Sequence, residues 1–147
     1  MAELIPVLQT AIGPVILISG IGLLILSMTN RLGRAIDRAR LIGSQLAGAN
    51  LGERPPLEAQ LRILWRRARV IRSAITLSAA SALAAALLVI LIFITAITGI
   101  DASWLVAGLF TLCMTSLIVS LVLFIHDVNQ SLAALKLELL AHGLGDE

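Results

Sequence analysis

Charged residues are absent from three long stretches of this 147-residue sequence. Residues 4–30, 73–100 and 102–125 contain no Asp, Glu, Lys or Arg. Each stretch is longer than the roughly 20 apolar residues that a helix needs to cross a bilayer core. The chain is 59% apolar, which is more than a typical soluble domain contains, and its mean hydropathy is +0.99. The apolar excess lies in these three stretches. The sequence predicts a membrane protein with three spans and excludes an ordinary soluble globular domain.

Other absences limit the chemistry that the chain can carry out. Cys113 is the single cysteine, which excludes an intrachain disulfide, and its place inside the third stretch favours an inert packing residue. No nucleophile motif or phosphate-binding loop is present, and His126 and His142 are sixteen residues apart, which is not a metal-binding spacing on one helix. We therefore expect a protein that is not an enzyme and that binds no cofactor and no metal.

The absence of charge from the three stretches also argues against a proton-coupled transporter. They lack the titratable group at depth that a proton-coupled transporter usually needs. A channel remains open, because pores can be lined by hydroxyl groups. The first ten residues contain no Lys or Arg, so the first stretch is expected to be a retained span rather than a signal peptide.

Positive charge is concentrated in one segment. Residues 29–74 contain all ten arginines and only three acids. By the positive-inside rule this segment is expected to be cytoplasmic, which places the N-terminus outside and the C-terminus inside. Contact of these arginines with anionic lipid headgroups is favoured over nucleic-acid binding, and no nucleic acid is expected as a partner.

Apolar residues at three- and four-residue spacing continue beyond the spans, which indicates that the helices extend into the cytoplasm. These positions are Leu32, Ala35, Ala39, Ile42 and Leu46 after the first span, Leu57, Leu61, Leu64, Ala68, Ile71 and Ile75 before the second, and Ile125, Val128, Leu132, Leu135 and Leu139 after the third. The second set has the spacing of a coiled-coil seam.

The predicted fold is all-α, an integral membrane protein whose three transmembrane helices extend into a cytoplasmic helical hairpin or bundle. Its segments are a first span at 7–28, a hairpin at 29–74 with its turn at 48–56, a second span at 74–99, a third span at 103–125 and a cytoplasmic C-terminal helix at 126–142.

Small and hydroxyl-bearing residues form stripes on the predicted spans, and small residues let helix backbones approach closely in lipid. The second span repeats Ala74, Ser78, Ala82 and Ala86 every four residues, with Ser81 and Ala85 beside them. These stripes exceed what one three-helix unit needs, so a homo-oligomer is expected. The candidate helix-packing or pore-lining face consists of Gly13, Gly20, Thr111, Thr115 and Ser120. A broken first helix that lines a site is the alternative for the glycine stripe.

The best candidate site is a polar collar at the membrane boundary. Its residues are Asn30, Arg31, Arg34, Asp37, Arg38, Arg66, Arg69, Arg72 and Asp127, and Arg67 lies among the arginines of the returning helix. Asp37 is spaced to pair with Arg34 or Arg40 across one helical turn. The collar is interpreted as ion-paired groups that face lipid headgroups, or as an anion-attracting vestibule or an anionic-lipid site. A proton-sensing pair of His126 and Asp127 is a further alternative to a solvated turn.

Three blocks of this sequence resemble a known family. They are NRLGRAIDRARLI at 30–42, RRARVIRSAI at 66–75 and HDVNQSLAAL at 126–135. They are similar to the bacterial three-span proteins grouped as domain of unknown function 2721 (DUF2721). The resemblance covers nearly the whole chain and implies a small protein of the bacterial inner membrane with no assigned catalytic residue. It also implies an acid near the start of the cytoplasmic part of the third helix, a place that Asp127 fills.

Two functional hypotheses follow. The first is an oligomeric ion channel or pore that uses the polar collar as an inner vestibule. The second is a structural or scaffolding membrane protein whose coiled-coil hairpin binds a partner or anionic lipid.

Overall fold

The computed structural model describes the backbone of residues 4–141, and the side chains of residues 5–131 except residue 7. Three helices account for nearly all of it: α1 (Leu4–Gly48), α2 (Arg54–Thr98) and α3 (Ser103–Ala141). No strand occurs in the described residues. Each helix contains a window long and apolar enough to cross a membrane. The predicted all-α fold with three membrane-spanning helices is confirmed.

The helices are much longer than a bilayer is thick. α1 and α2 contain 45 residues each, which corresponds to about 67 Å at the helical rise of 1.5 Å per residue. A bilayer core is about 30 Å thick. Neither helix is interrupted where the sequence changes from uncharged to arginine-rich, so span and extension form one rod. We call the paired extensions between residues 29 and 74 the arginine hairpin.

Two short connections join the helices. The first covers residues 49–53, where the backbone N–H of Glu53 donates to the carbonyl of Asn50 (3.0 Å). The second begins at Gly99, whose φ of 68° is left-handed and whose N–H donates to the carbonyl of Thr95 (2.9 Å). A residue without a Cβ is favoured there because the conformation is strained for other residues.

Asp101 organises the start of α3. Its carboxylate accepts the backbone N–H of Ser103 (3.0 Å) and the Ser103 hydroxyl. These two hydrogen bonds, the hydroxyl first, hold the pKa of Asp101 below its ordinary value. Asp101 thus satisfies an otherwise free N–H at the start of α3.

α2 lies between the other two helices. It packs against both α1 and α3, which make far less contact with each other. Six of the seven buried residues of α2 occur at alternating spacings of three and four: Ile71, Ala74, Ser78, Ser81, Ala85 and Leu88. The seventh, Ala84, lies beside Ala85. Ala82 and Ala86 of the predicted four-residue repeat are only half-buried. A strict four-residue repeat drifts around a helix with 3.6 residues per turn, whereas a three-four alternation stays on one face.

Hydroxyl groups join α2 to α3 inside the membrane-spanning region. Ser120 donates to the carbonyl of Ala74 (2.6 Å) and accepts from the Ser78 hydroxyl (2.7 Å). Ser81 donates to the carbonyl of Cys113 (2.8 Å), and the Cys113 thiol donates back to the carbonyl of Ser81 (3.2 Å). Within the described part of the chain, no buried side-chain nitrogen or oxygen lacks a partner. Interhelical hydrogen bonds of this kind stabilise membrane proteins by about 0.6 kcal/mol each on average.

The apolar positions of the arginine hairpin face inward. Ala35, Ile42 and Ile71 are buried, and the other positions of these two predicted stripes are half-buried. The third predicted stripe is described only at Ile125, which is exposed, and Val128, which is half-buried. Its remaining positions lie outside the described side chains, and residue 142 lies outside the described residues.

Close packing at Ala85 gives a direct test of this architecture. Ala85 is fully buried, whereas Ala80 on the same helix is exposed. We expect Ala85→Leu to destabilise the protein by about 1–3 kcal/mol, because the added methyl groups force the helices apart. The matched change Ala80→Leu should leave stability nearly unchanged. Thermal unfolding in detergent, followed by circular dichroism, measures both, and equal melting temperatures would contradict the packing.

Candidate functional site

The candidate site is centred on a buried carboxylate at the end of the third span. Asp127 on α3 is 1% exposed and is the only buried charged residue among the described side chains. Its Oδ2 lies 3.5 Å from Nη1 of Arg31 on α1, and its Oδ1 lies 3.2 Å from Nε of Arg67 on α2. One residue from each helix therefore meets at this point. We call this group, together with Ser131, the boundary cluster.

Ser131 completes the cluster one turn further along α3. Its hydroxyl accepts a hydrogen bond from Nη2 of Arg67 and donates to the carbonyl of Asp127 (2.9 Å). The Arg31 guanidinium lies 5.3 Å from the centre of the Phe124 ring, a distance at which a cation is attracted to the aromatic face. Both arginines are thus held in defined positions.

Apolar packing surrounds the cluster on its membrane side. Met28, Ile71 and Ala74 are buried together, with Leu123 and Phe124 packed against them. A carboxylate beside such a core is stable only when cations and hydrogen bonds compensate its desolvation. Arg31 and Arg67 provide the cations while remaining 29% and 28% exposed. The carboxylate is therefore enclosed, and the guanidinium groups reach solvent.

Helical periodicity explains why these residues meet. Cys113, Ser120 and Asp127 are seven residues apart on α3, and all three are buried. Arg67 precedes Ile71 by four residues and so continues the buried face of α2 past the apolar region. The face that packs the spans together thus ends in ionic groups.

The structure divides the predicted collar into two sets. Arg31 and Asp127 lie in the boundary cluster, and Arg67, which was named only among the arginines of the returning helix, joins them. The other predicted members are exposed: Asn30, Arg34, Asp37, Arg38, Arg66, Arg69 and Arg72. Asp37 makes no ion pair with any described residue, so the predicted pairing of Asp37 with Arg34 or Arg40 is not observed.

His126 points away from the boundary cluster. It is exposed, and its Nε2 forms a hydrogen bond with the Gln130 amide (2.8 Å). Asp127 takes its partners from the other two helices instead. The two neighbours do not form the proton-sensing pair that was considered from the sequence.

The predicted packing or pore face is also divided. Ser120 is buried against α2, whereas Thr111 and Thr115 are exposed and donate to the carbonyls of Ala107 and Thr111 of their own helix (2.8 Å each). On α1, Gly13 and Gly20 are exposed, and apart from the adjacent residues and backbone of α1 itself no described atom lies within 4 Å of the position that a Cβ would occupy. These two surfaces face lipid or a neighbouring molecule.

Two grooves run along opposite flanks of the arginine hairpin. The first, of about 770 Å³, has a mainly apolar surface formed in part by Leu61 and Trp65. Its lining also includes Glu58 and four exposed arginines: Arg40, Arg62, Arg69 and Arg72. The second, of about 570 Å³, contains four arginines, two from the boundary cluster and two from the exposed part of α1. We call these the apolar groove and the arginine groove.

Comparison with known proteins assigns the chain to a family. A family model described as "Protein of unknown function (DUF2721)" matches residues 11–137. The match covers most of the chain, so this protein belongs to the DUF2721 family, as the resemblance of its arginine-rich blocks implied. No curated protein and no solved structure matches. The described residues contain no group of three or more His, Cys, Asp or Glu that could hold a metal ion.

Removal of the central charge should destabilise the three-helix unit. Asp127→Asn keeps the side-chain volume but leaves two partly buried guanidinium groups without their carboxylate, so we expect a loss of about 1–3 kcal/mol in the free energy of unfolding. Asp37→Asn removes an exposed acid of α1 that has no ion pair with a described residue, and it serves as the control. Thermal unfolding of both variants in detergent measures the difference. An equal effect of the two substitutions would contradict a structural role for the cluster.

Proposed function

We propose that this DUF2721 protein is a structural protein of the bacterial inner membrane whose arginine hairpin binds anionic lipid headgroups. The supporting observation is the length and charge of its helices. α1 and α2 run without a break from uncharged spans into extensions that contain all ten arginines. Such a rod fixes a dense positive surface rigidly against one face of the membrane.

The orientation that we propose puts the hairpin and the C-terminus in the cytoplasm and the N-terminus outside. The connection between α2 and α3 carries only one charge, Asp101, whereas the hairpin carries ten arginines against three acids. Arginine is retained on the cytoplasmic side during insertion. The hairpin then faces the leaflet that is rich in anionic lipid.

The exposed arginines favour this function over a pore within one chain. Arg34 and Arg38 on α1, and Arg66, Arg69 and Arg72 on α2, are exposed near the membrane boundary. In contrast, the hydroxyl groups of Ser78, Ser81 and Ser120 are fully engaged between helices. The buried hydroxyls inside the spans thus serve packing, whereas the exposed arginines outside the spans remain free to bind.

Self-association is part of the proposal. Gly13 and Gly20 form an exposed small-residue face on α1, which allows a second copy to approach closely. The three-four spacing of the buried hairpin positions is also compatible with a coiled coil that includes another copy or a protein partner. A homo-oligomer of this kind would present several arginine hairpins side by side.

A second candidate function is an oligomeric ion channel. It is favoured by Thr111 and Thr115, which lie exposed on the side of α3 away from Ser120. Arranged around an axis, these hydroxyls would line a lumen, with the exposed arginines as its inner vestibule.

The lipid-binding function predicts that the effect of removing an arginine depends on its distance from the membrane along the hairpin. In nanodiscs that contain phosphatidylglycerol, Arg72→Gln should cost about 1 kcal/mol of the stabilisation that anionic lipid provides, since each arginine near an anionic surface contributes about that much. The control is Arg54→Gln, the same change at the hairpin tip, eighteen residues or about 27 Å along the helix from Arg72. At that distance the charge is screened from the membrane surface, so the stabilisation by anionic lipid should not change.

The measurement is the melting temperature in nanodiscs with phosphatidylglycerol minus that in nanodiscs with phosphatidylcholine alone. A cysteine introduced at Asn50 and probed in intact cells with an impermeant maleimide first establishes the side of the hairpin. No advantage of the anionic lipid for the wild type would refute the proposed function.

The channel candidate predicts conductance. Purified protein in planar bilayers should show single-channel steps, and Thr115→Leu should reduce their amplitude because it replaces a lumen hydroxyl with a larger apolar group. Ile118→Leu, also at an exposed position of α3, is the control. Absence of steps across several salts and voltages would remove this candidate.

A further inference from the structure

We infer that the arginine groove is a discrete binding site for a phosphate oxyanion, carried by an inner-leaflet lipid headgroup or by a free phosphate compound. The inference rests on the proposed cytoplasmic placement of the hairpin and names the ligand chemistry of one part of its surface. The groove has a volume of about 570 Å³ and contains Arg31, Arg34 and Arg38 of α1, Arg67 of α2 and Ser131 of α3.

Two of the four arginines are fixed before any ligand arrives. Asp127 holds both Arg31 and Arg67, and Phe124 lies against the Arg31 guanidinium. A guanidinium carries five N–H donors, of which Arg31 uses one and Arg67 uses two in hydrogen bonds with other described side chains. The remaining donors are available at fixed positions, which lowers the entropic cost of binding an anion.

The other two arginines add unpaired charge to the same groove. Arg34 and Arg38 are one helical turn apart on α1, both are exposed, and neither forms an ion pair with a described residue. No Asp or Glu is part of the groove lining, since Asp127 is enclosed behind its two arginines. Four guanidinium groups against one carboxylate leave a strong excess of positive charge. Guanidinium groups match phosphate oxygens in geometry as well as in charge.

In the proposed placement the inner end of the groove lies near the lipid phosphates. Arg31 is the first charged residue after the uncharged stretch 4–30, and Arg34 and Arg38 follow it by about 4–5 Å and 10–11 Å along α1. The headgroup layer occupies the first several ångströms outside the hydrocarbon. The apolar groove on the opposite flank also contains four arginines, but it is a poorer candidate. Glu58 in its lining offsets part of their charge, and no ion pair with a described carboxylate fixes any of them in position.

Thermal stabilisation of the full-length protein in detergent tests the site with two probes. The first probe is phosphatidylglycerol, compared with phosphatidylcholine. The second is sodium phosphate, compared with sodium chloride at equal ionic strength. The test variant is Arg34→Gln/Arg38→Gln, and the control is Arg62→Gln/Arg69→Gln, which removes two arginines of the apolar groove. Arg31 and Arg67 both contact Asp127 and therefore lie at the same height above the bilayer. Counted along each helix from these two residues, the control pair lies no farther from the bilayer than the test pair. All four side chains are exposed, so both variants should fold.

We expect the probe concentration that gives half of the stabilisation to rise roughly tenfold more in the test variant than in the control. The control loses only the general attraction of Arg62 and Arg69 to an anionic surface, whereas the test variant also loses charge-assisted hydrogen bonds. A response to phosphatidylglycerol alone identifies a lipid headgroup as the source, and a response to sodium phosphate identifies a free phosphate. Equal losses in the two variants, with the lipid preference intact, would overturn the discrete site and leave the proposed function standing. No stabilisation by either probe would also overturn the site.

Discussion

The structure depends on the burial of one carboxylate at the edge of the membrane. Desolvation of an ionised acid costs several kcal/mol unless cations are placed against it. Asp127 receives them from two different helices, at 3.5 Å from Arg31 and 3.2 Å from Arg67. α1 and α3 make little other contact with each other. The carboxylate therefore fixes the positions of α1 and α3 relative to α2 at the level where the rods leave the hydrocarbon.

The packing above and below this level has different physical origins. Inside the membrane the lipid chains are as apolar as leucine, so association relies on close approach and on interhelical hydrogen bonds. The fully buried residues of α2 are accordingly small: Ala74, Ser78, Ser81 and Ala85. In the hairpin, water surrounds the helices and burial of larger apolar residues stabilises the contact, as at Ile42 and Ile71. One continuous three-four spacing serves both environments, so each helix crosses the boundary without a break.

Much of this could be predicted from the sequence. The uncharged stretches give the spans, and the spacing of Ala35, Ile42 and Ile71 gives the inward face of the hairpin. Arg67 could also have been selected by extending the buried series of α2 by one step of four residues. Thr115 and Ser120 are five residues apart, which is roughly 140° around a helix, so their opposite placement was implicit as well. Which arginines pair with Asp127 and which stay exposed could not be predicted, because pairing depends on the distance between helices. Neighbouring residues such as Arg66 and Arg67 also have the same chemistry, so residue type does not distinguish them.

The asymmetry of the molecule limits where its chemistry can lie. At one end, the four residues from Gly99 to Ala102 join α2 to α3 and contain a single acid, Asp101, which accepts two hydrogen bonds from Ser103. Along the spans, the buried polar side chains of the described residues are hydrogen-bonded to one another or to backbone carbonyls. Among the described residues, only the hairpin end combines partly exposed guanidinium groups with a rigid support. Within that part of the chain, this end is where an anionic ligand gains from charge. Because Asp127 both neutralises and orients two of the arginines there, the interaction that holds the helices together also prepares the surface for an anion.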